Sequence, residues 1–143
     1  MFTGEYRHNL DAKGRIIIPS KLREELGLKF VITKGLDGCL AIYNMEQWDK
    51  MLEKLNLIPE TSRDGRLYKR MFTSKACECQ LDNQGRIIIP TNLLKEANIT
   101  KESVVVGAGE WVEIWSEERW EAICDEASSK FEDIAEKLTS YLI

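Results

Sequence analysis

The sequence predicts an α+β protein made of two copies of one small β-rich unit, joined and followed by helices. Three observations predict it. A ten-residue turn segment occurs twice, strand and turn signals follow each copy in the same order, and the remaining segments have helical periodicity. Leu10-Asp11-Ala12-Lys13-Gly14-Arg15-Ile16-Ile17-Ile18-Pro19 recurs as Leu81-Asp82-Asn83-Gln84-Gly85-Arg86-Ile87-Ile88-Ile89-Pro90, identical at eight of ten positions and offset by 71 residues. Self-similarity at a fixed offset marks a duplicated structural unit. The match continues more weakly, Ser20 with Thr91, Leu22 with Leu93, Glu25 with Glu96 and Gly27 with Asn98. After a one-residue insertion, Ile42, Tyr43, Asn44 and Trp48 align with Ile114, Trp115, Ser116 and Trp120.

Each element has a local reason. Asp-x-x-Gly is the signature of a type I turn, with Asp first and a positive-φ Gly fourth. Flanked by strands over 5–10 and 15–18, and over 76–81 and 86–89, it predicts a hairpin with a bulged glycine. The unbroken isoleucine runs predict strands buried on both faces, as in a small barrel. Pro19 and Pro90 end those strands. Ser20 and Thr91 are expected as N-caps of short helices that stop at Gly27 and Asn98. Residues 30–33 and 104–106 read as third strands, and 39–43 and 111–115 as fourth strands. Asn44 and Ser116 are expected to cap the helices that follow.

The rest is helical. Trp48, Met51, Leu52 and Leu55 fall on one helical stripe, which Pro59 breaks. A second linker helix over about 62–73 carries Arg63, Arg66, Lys69 and Arg70. Trp120, Cys124, Ala127, Phe131, Ile134, Leu138 and Tyr141 follow heptad steps. That seam either packs on its own domain or contacts another subunit. The organisation expected is repeat 1 over 5–47, a helical linker over 48–75, repeat 2 over 76–119 and a C-terminal amphipathic helix over 120–143.

Composition bounds the function. The 143 residues are 43% hydrophobic and 31% charged, an ordinary globular balance. No window is apolar enough for a membrane span, and no apolar signal region opens the chain, so a cytoplasmic protein is expected. Cys39, Cys77, Cys79 and Cys124 lack paired metal spacing, and His8 is the one histidine. Cys77 and Cys79 read as alternating strand residues on one face. No nucleophile–base set or phosphate loop occurs, and Glu117 and Glu118 sit where they favour a helix dipole, so no catalysis and no cofactor are expected. The net charge of −4 hides an asymmetry: residues 1–36 carry seven basic and four acidic groups, and residues 110–143 three basic and ten acidic.

Two copies of Leu-Asp-x-x-Gly-Arg-Ile-x-Ile-Pro about 70 residues apart resemble the MraZ family, whose halves are SpoVT-AbrB-type, or swapped-hairpin, domains. The resemblance covers nearly the whole chain. It implies a double-ψ-like, intertwined, pseudo-dimeric β-barrel formed by both repeats, and ring-like homo-oligomers. It also implies sequence-specific binding of double-stranded DNA at short repeated sites upstream of a division and cell-wall gene cluster, whose transcription the protein controls at the nucleoid.

Around the turns, the first repeat offers Arg7, His8, Lys13, Arg15, Lys21 and Arg23, where the second has Glu78, Cys79, Gln84, Arg86, Asn92 and Leu94. The scaffold is copied and the charge is not, so the first repeat is expected to supply most of a DNA surface. Lys13 at the turn tip suits a phosphate or base edge, and Arg15 a guanine. Arg7 and Lys21 suit phosphates. Asp11 and Arg15 either pair with each other or brace the turn, as do Asp82 and Arg86; both aspartates are expected to brace, and Arg86 either braces or contacts DNA. His8 reads as a strand residue or a DNA contact, and the basic linker helix as a solvated face or a further contact. Gly14 and Gly85 are turn residues. Avidity from several subunits would make oligomerisation necessary. Two rival readings are an AbrB-like antitoxin holding a toxin on its acidic tail, and a structural oligomer without a DNA role.

Overall fold

The two Asp-x-x-Gly segments are tight turns in which Gly14 and Gly85 take φ of 79° and 74°. Their amides donate to the carbonyls of Asp11 and Asp82 at 3.1 and 3.0 Å. A computed structural model describes residues 1–143. The first repeat contains β1 (Glu5–Asn9), β2 (Arg15–Ile17), α1 (Ser20–Leu26), β3 (Lys29–Lys34) and β4 (Leu40–Asn44). Helices α2 (Met45–Asn56) and α3 (Arg63–Ser74) link it to β5 (Cys77–Gln80), β6 (Arg86–Ile88), α4 (Thr91–Glu96), β7 (Glu102–Gly107) and β8 (Val112–Ser116). The chain continues into α5 (Glu117–Lys137) and the short α6 (Thr139–Leu142).

The arms of each turn do not form the local ladder expected of a hairpin. β1 pairs antiparallel with β7 of the other repeat, β5 pairs with β3, and β2 pairs with β6. A six-stranded antiparallel sheet results, in the order β1-β7-β8-β4-β3-β5, with β2 and β6 as a separate ribbon. The turn chemistry closes the loop itself, Asp11 N–H donating to the Arg15 carbonyl at 2.9 Å. Beyond it, each outgoing arm binds the other turn: Ile18 N–H donates to the Gly85 carbonyl and Ile89 N–H to that of Gly14. Exchange satisfies the backbone groups that a splayed hairpin would leave open.

A pseudo-twofold relates the repeats, and equivalent residues meet on it. Ile16 pairs with Ile87 across the ribbon, and Ala41 with Glu113 where β4 meets β8. The third strands match at an offset of 73 and the fourth at 72. The single insertion read from the sequence is therefore two residues gained before β7 and one lost in the following loop. Compensating changes in loops leave no trace in the apolar landmarks on either side.

The core lies between the ribbon and the sheet. Ile16, Ile18, Ile87 and Ile89 point into it with Leu22, Leu26 and Leu93 from the short helices, and with Phe30, Ile32, Leu40, Ile42, Val105 and Ile114 from the sheet. The opposite sheet face is also covered. Ala41 and Tyr43 pack under Leu55 and Phe72 of the linker helices. Val104, Val106 and Trp115 pack under Trp120 and Ile123 of α5. The strands buried on both faces are thus β3, β4, β7 and β8. The isoleucine runs alternate instead, with Ile17 at 40% and Ile88 at 65% exposure. Their outer face has no layer above it, and isoleucine is kept there without burial.

The helix ends follow their residues with one correction. Asn44 and Ser116 cap α2 and α5, accepting from the amides of Gln47 and Arg119, and Ser62 caps α3 in the same way. Ser20 and Thr91 are not caps. Pro19 and Pro90 hold the N-cap positions with φ of −52° and −55°, and no side chain bonds there. Gly27 and Asn98 both take positive φ, as expected. Cys79 lies in the core with Cys77 packed against it on the same face of β5. Burial, reinforced by Cys77, pushes the Cys79 thiol up to about 12, so it packs as a neutral group. No helix is long and apolar enough to cross a membrane.

Ile87→Ala should cost about 2–5 kcal/mol because it opens a cavity in the core. Ile88→Ala should cost less than about 0.5 kcal/mol, as surface changes do. Denaturant unfolding of the two variants measures the contrast.

Candidate nucleic-acid interface

The turn places its arginine by a carboxylate brace. Asp11 Oδ1 accepts from the backbone amides of Lys13 and Arg15, both at 2.9 Å. Its Oδ2 takes the Arg15 Nε at 2.7 Å. Asp82 repeats the pattern with Gln84 and Arg86, its Oδ2 lying 2.9 Å from the Arg86 Nε. Bracing and outward contact are not alternatives in this geometry. The aspartate occupies Nε alone, and no protein acceptor takes the terminal Nη nitrogens of either arginine. A guanidinium held by one edge presents the fork that recognises a guanine or a phosphate.

The amides of Arg15 and Arg86 are the main cause that holds the Asp11 and Asp82 carboxyls below their ordinary range. The amides of Lys13 and Gln84 and the guanidinium groups act in the same direction. Carboxyls depressed in the folded state contribute stability that is present above their unfolded value and lost as pH falls through the folded one.

Register sets the outer face of the ribbon. Arg15 lies across from Ile88, and Ile17 across from Arg86. The two arginines and two exposed isoleucines therefore share one face, related by the pseudo-twofold. Lys13 and Gln84 stand exposed in the two turns. Lys13 is in no ion pair, its backbone alone being engaged.

Beside Ile17 the ribbon borders an open cleft of about 320 Å³ lined by Tyr6, His8, Pro19, Ser20, Lys21 and Arg23. The alternation of β1 aims Tyr6 and His8 at it. Arg23, to which the sequence assigned no separate role, is fixed there by two contacts. Its Nε donates to the Ile18 carbonyl at 2.7 Å, and its guanidinium lies over the bare Cα of Gly85. A side chain at Gly85 would occupy the same space as that guanidinium. At the equivalent place in the other half, Leu94 lies near Gly14 with room to spare. Strand alternation was the signal that separated the faces of β1; nothing in the sequence pointed from Arg23 to the far turn.

Arg7 points the other way. Its guanidinium meets Glu121, Glu117 and Glu5 at 3.3, 3.4 and 3.5 Å. It joins β1 to the first turns of α5, and Trp120 adds an indole bond to Glu5 at 2.9 Å. Arg7 is thus separated from the face that holds His8, Lys21 and Arg23. The linker cations Arg63, Arg66, Lys69 and Arg70 lie on α3, which packs on β3.

The chain is thus a duplicated swapped-hairpin scaffold that braces an arginine in each turn and sets Lys13, Lys21 and Arg23, which are in no ion pair, around the ribbon. The family model described as "MraZ protein, putative antitoxin-like" matches residues 1–71 and again residues 71–141. Full-length relatives agree. The chain is 54% identical over 141 residues to a protein of Moorella thermoacetica, with 99% of each chain covered. It is 52% identical over 141 residues to one of Ligilactobacillus salivarius, again with 99% of each covered. It is 47% identical over 143 residues, all of both chains, to one of Carboxydothermus hydrogenoformans. All three carry the name transcriptional regulator MraZ. The chain belongs to the MraZ family, which is named for the regulation of transcription and not for catalysis.

Two outcomes test this geometry. Gly14→Ala should cost about 1–2 kcal/mol for a left-handed alanine. Gly85→Ala should cost more, since it also displaces Arg23; paired thermal melts compare them. In acid, the wild type should lose stability as pH falls below about 4. An Asp11→Asn, Asp82→Asn double variant should show a shallower fall in melting temperature over the same range.

Proposed function

We propose that the chain regulates transcription by binding double-stranded DNA through the face formed by the first turn, the β2–β6 ribbon and the cleft beside α1. The observation that carries this reading is the Asp11–Arg15 brace, which aims a guanidinium fork outward beside Lys13. Lys21 and Arg23 line the adjoining cleft. Arg15 reads a base edge, with Lys13 at the tip. Lys21, Arg23 and His8 hold the backbone, and Ile17 and Ile88 give the ribbon an apolar surface against sugars or thymine methyls. Arg86 contributes less, since its own turn carries Gln84 where the first turn carries Lys13, and the cation beside it, Arg23, comes from α1 of the first repeat. Arg7 is assigned to fixing the acidic helix α5 away from the DNA.

In this reading the protein acts at the nucleoid as a ring-like homo-oligomer on repeated promoter sites of a division and cell-wall gene cluster. Multiplying a weak contact across subunits raises avidity by about 10²–10⁴. The reading needs no cofactor, small-molecule substrate or membrane. The antitoxin-like wording of the family description favours one second reading, a protein partner held on α5; recovery of a stoichiometric small protein with the chain would support it.

Titration of repeated-site promoter DNA at several salt concentrations tests the proposal. Arg15→Ala should weaken specific binding by about 1–3 kcal/mol. Lys21→Ala and Arg23→Ala should each lower the salt slope by about one. Arg86→Ala should cost less than Arg15→Ala. Equal or reversed losses for the two arginines, or unchanged binding in Arg15→Ala, would overturn the assignment.

A further inference from the structure

We propose that the cavity beneath α3 is a binding site for a small organic cation, an ammonium group carried on an apolar body. The cavity lies on the sheet face covered by the linker helices, opposite the core and the ribbon. The inference therefore goes beyond the DNA reading and does not rest on it.

Aromatic rings build the walls. The cavity holds about 220 Å³ and is lined by Tyr43, Tyr68, Phe72 and Trp111. The Tyr43 ring centre lies 6.0 Å from that of Trp111 and 5.8 Å from that of Phe72, with the planes at 45° and 70°. Rings set at such angles enclose space that a stack would fill. The cavity adjoins a groove of about 360 Å³ along α3, where Leu36, Leu67 and Met71 are exposed. The groove alone falls within the roughly 300–1,000 Å³ typical of small-molecule sites. The other half of the sheet has no counterpart, since Trp120 and Ile123 of α5 pack over it.

Two carboxylates without a cation set the charge of the occupant. Strand alternation puts Trp111, Glu113 and Trp115 on one face of β8. Glu113 lines the cavity and accepts from both indoles, at 3.0 and 3.1 Å. Further lone pairs of that carboxylate stay free, and its partner across β4 and β8 is the small Ala41. Asp37 lies at the exposed edge of the cavity. Neither carboxylate belongs to an ion pair. Lys34, the one cation of the lining, is already held by Glu96 at 2.7 Å. Tyr43 is only 6% exposed, yet its hydroxyl bonds to no group of the chain and keeps its access to the cavity. Burial first, then the proximity of Tyr68, Cys39 and Glu113, pushes that hydroxyl up, so it stays neutral. Aromatic faces around unpaired carboxylates are the chemistry that holds an organic ammonium ion, by cation–π contact and charge-assisted hydrogen bonds. A neutral or anionic occupant would leave Glu113 buried beneath it without compensation. The ammonium group sits in the cavity and the apolar body lies along the groove.

Isothermal titration calorimetry of the full chain tests this with three probes, phenethylamine, 2-phenylethanol and phenylacetate, which share a ring and differ in the charge of the head. At neutral pH phenethylamine should bind saturably, one per chain, and the neutral and anionic probes about tenfold or more weakly. Glu113→Gln should weaken phenethylamine by about tenfold, since the charged acceptor is lost. Asp37→Asn should weaken it by a smaller factor. Asp37 is exposed with φ of 65°, a conformation that asparagine tolerates, so this variant keeps the test open if Glu113→Gln disturbs the indoles. Circular dichroism checks that both fold. Absence of saturable binding, the result if another protein chain fills the groove, would overturn the proposal. So would equal affinity for 2-phenylethanol, or wild-type affinity in both variants. The DNA reading fails separately: Arg15→Ala should bind phenethylamine as the wild type does.

Discussion

The exchange of first strands between the repeats is the constraint on which the rest depends. β1 completes the edge of the second repeat and β5 that of the first, so neither repeat owns a whole sheet. The ribbon follows from the exchange. Once the incoming arms are committed elsewhere, the outgoing arms β2 and β6 have only each other, and they meet with Ile16 against Ile87. That pairing seals the core on its inner side and sets two arginines on its outer side. Cutting the chain between the repeats would leave each half with unpaired backbone and a divided core, as in an obligate dimer whose subunits do not fold alone.

The same exchange explains what the sequence made legible. The duplication was plain from ten residues, and turns, strand order, linker helices and two caps followed from local chemistry. Partner choice was not local. Asp11 determines that the chain reverses at Gly14, but the same turn serves a hairpin or a swap, and only tertiary completion decides. The isoleucine run misled for a related reason. Ile17 and Ile88 have strand propensity but no layer above them, and composition does not distinguish an isoleucine kept for burial from one kept on an open face. Conversely, β3 and β7 are buried on both sides because helices from outside the repeats cover them, and no pattern within the repeat announces that.

At the candidate interface, residue types were legible and directions were not. Asp-x-x-Gly-Arg suggested a choice between bracing and contact, whereas the bond to Nε leaves the terminal nitrogens without a protein acceptor, so the two are compatible. Arg7 and His8 adjoin in sequence and diverge in space because strand neighbours face opposite ways. Arg7 ends among three carboxylates, and His8 in the cleft with Lys21 and Arg23. Residues from the two repeats meet across the fold, so the placement of Arg23 over Gly85 belongs to the interlocked structure and not to either turn.

The two repeats have diverged in a way that a twofold scaffold permits. On the pseudo-axis the buried ribbon pair keeps one residue type, Ile16 against Ile87. Positions away from the axis carry no such coupling. Tyr6, His8, Lys21 and Arg23 correspond to Cys77, Cys79, Asn92 and Leu94, polar and cationic in one copy, smaller or apolar in the other. One duplicated frame thereby presents a single cationic face in each chain.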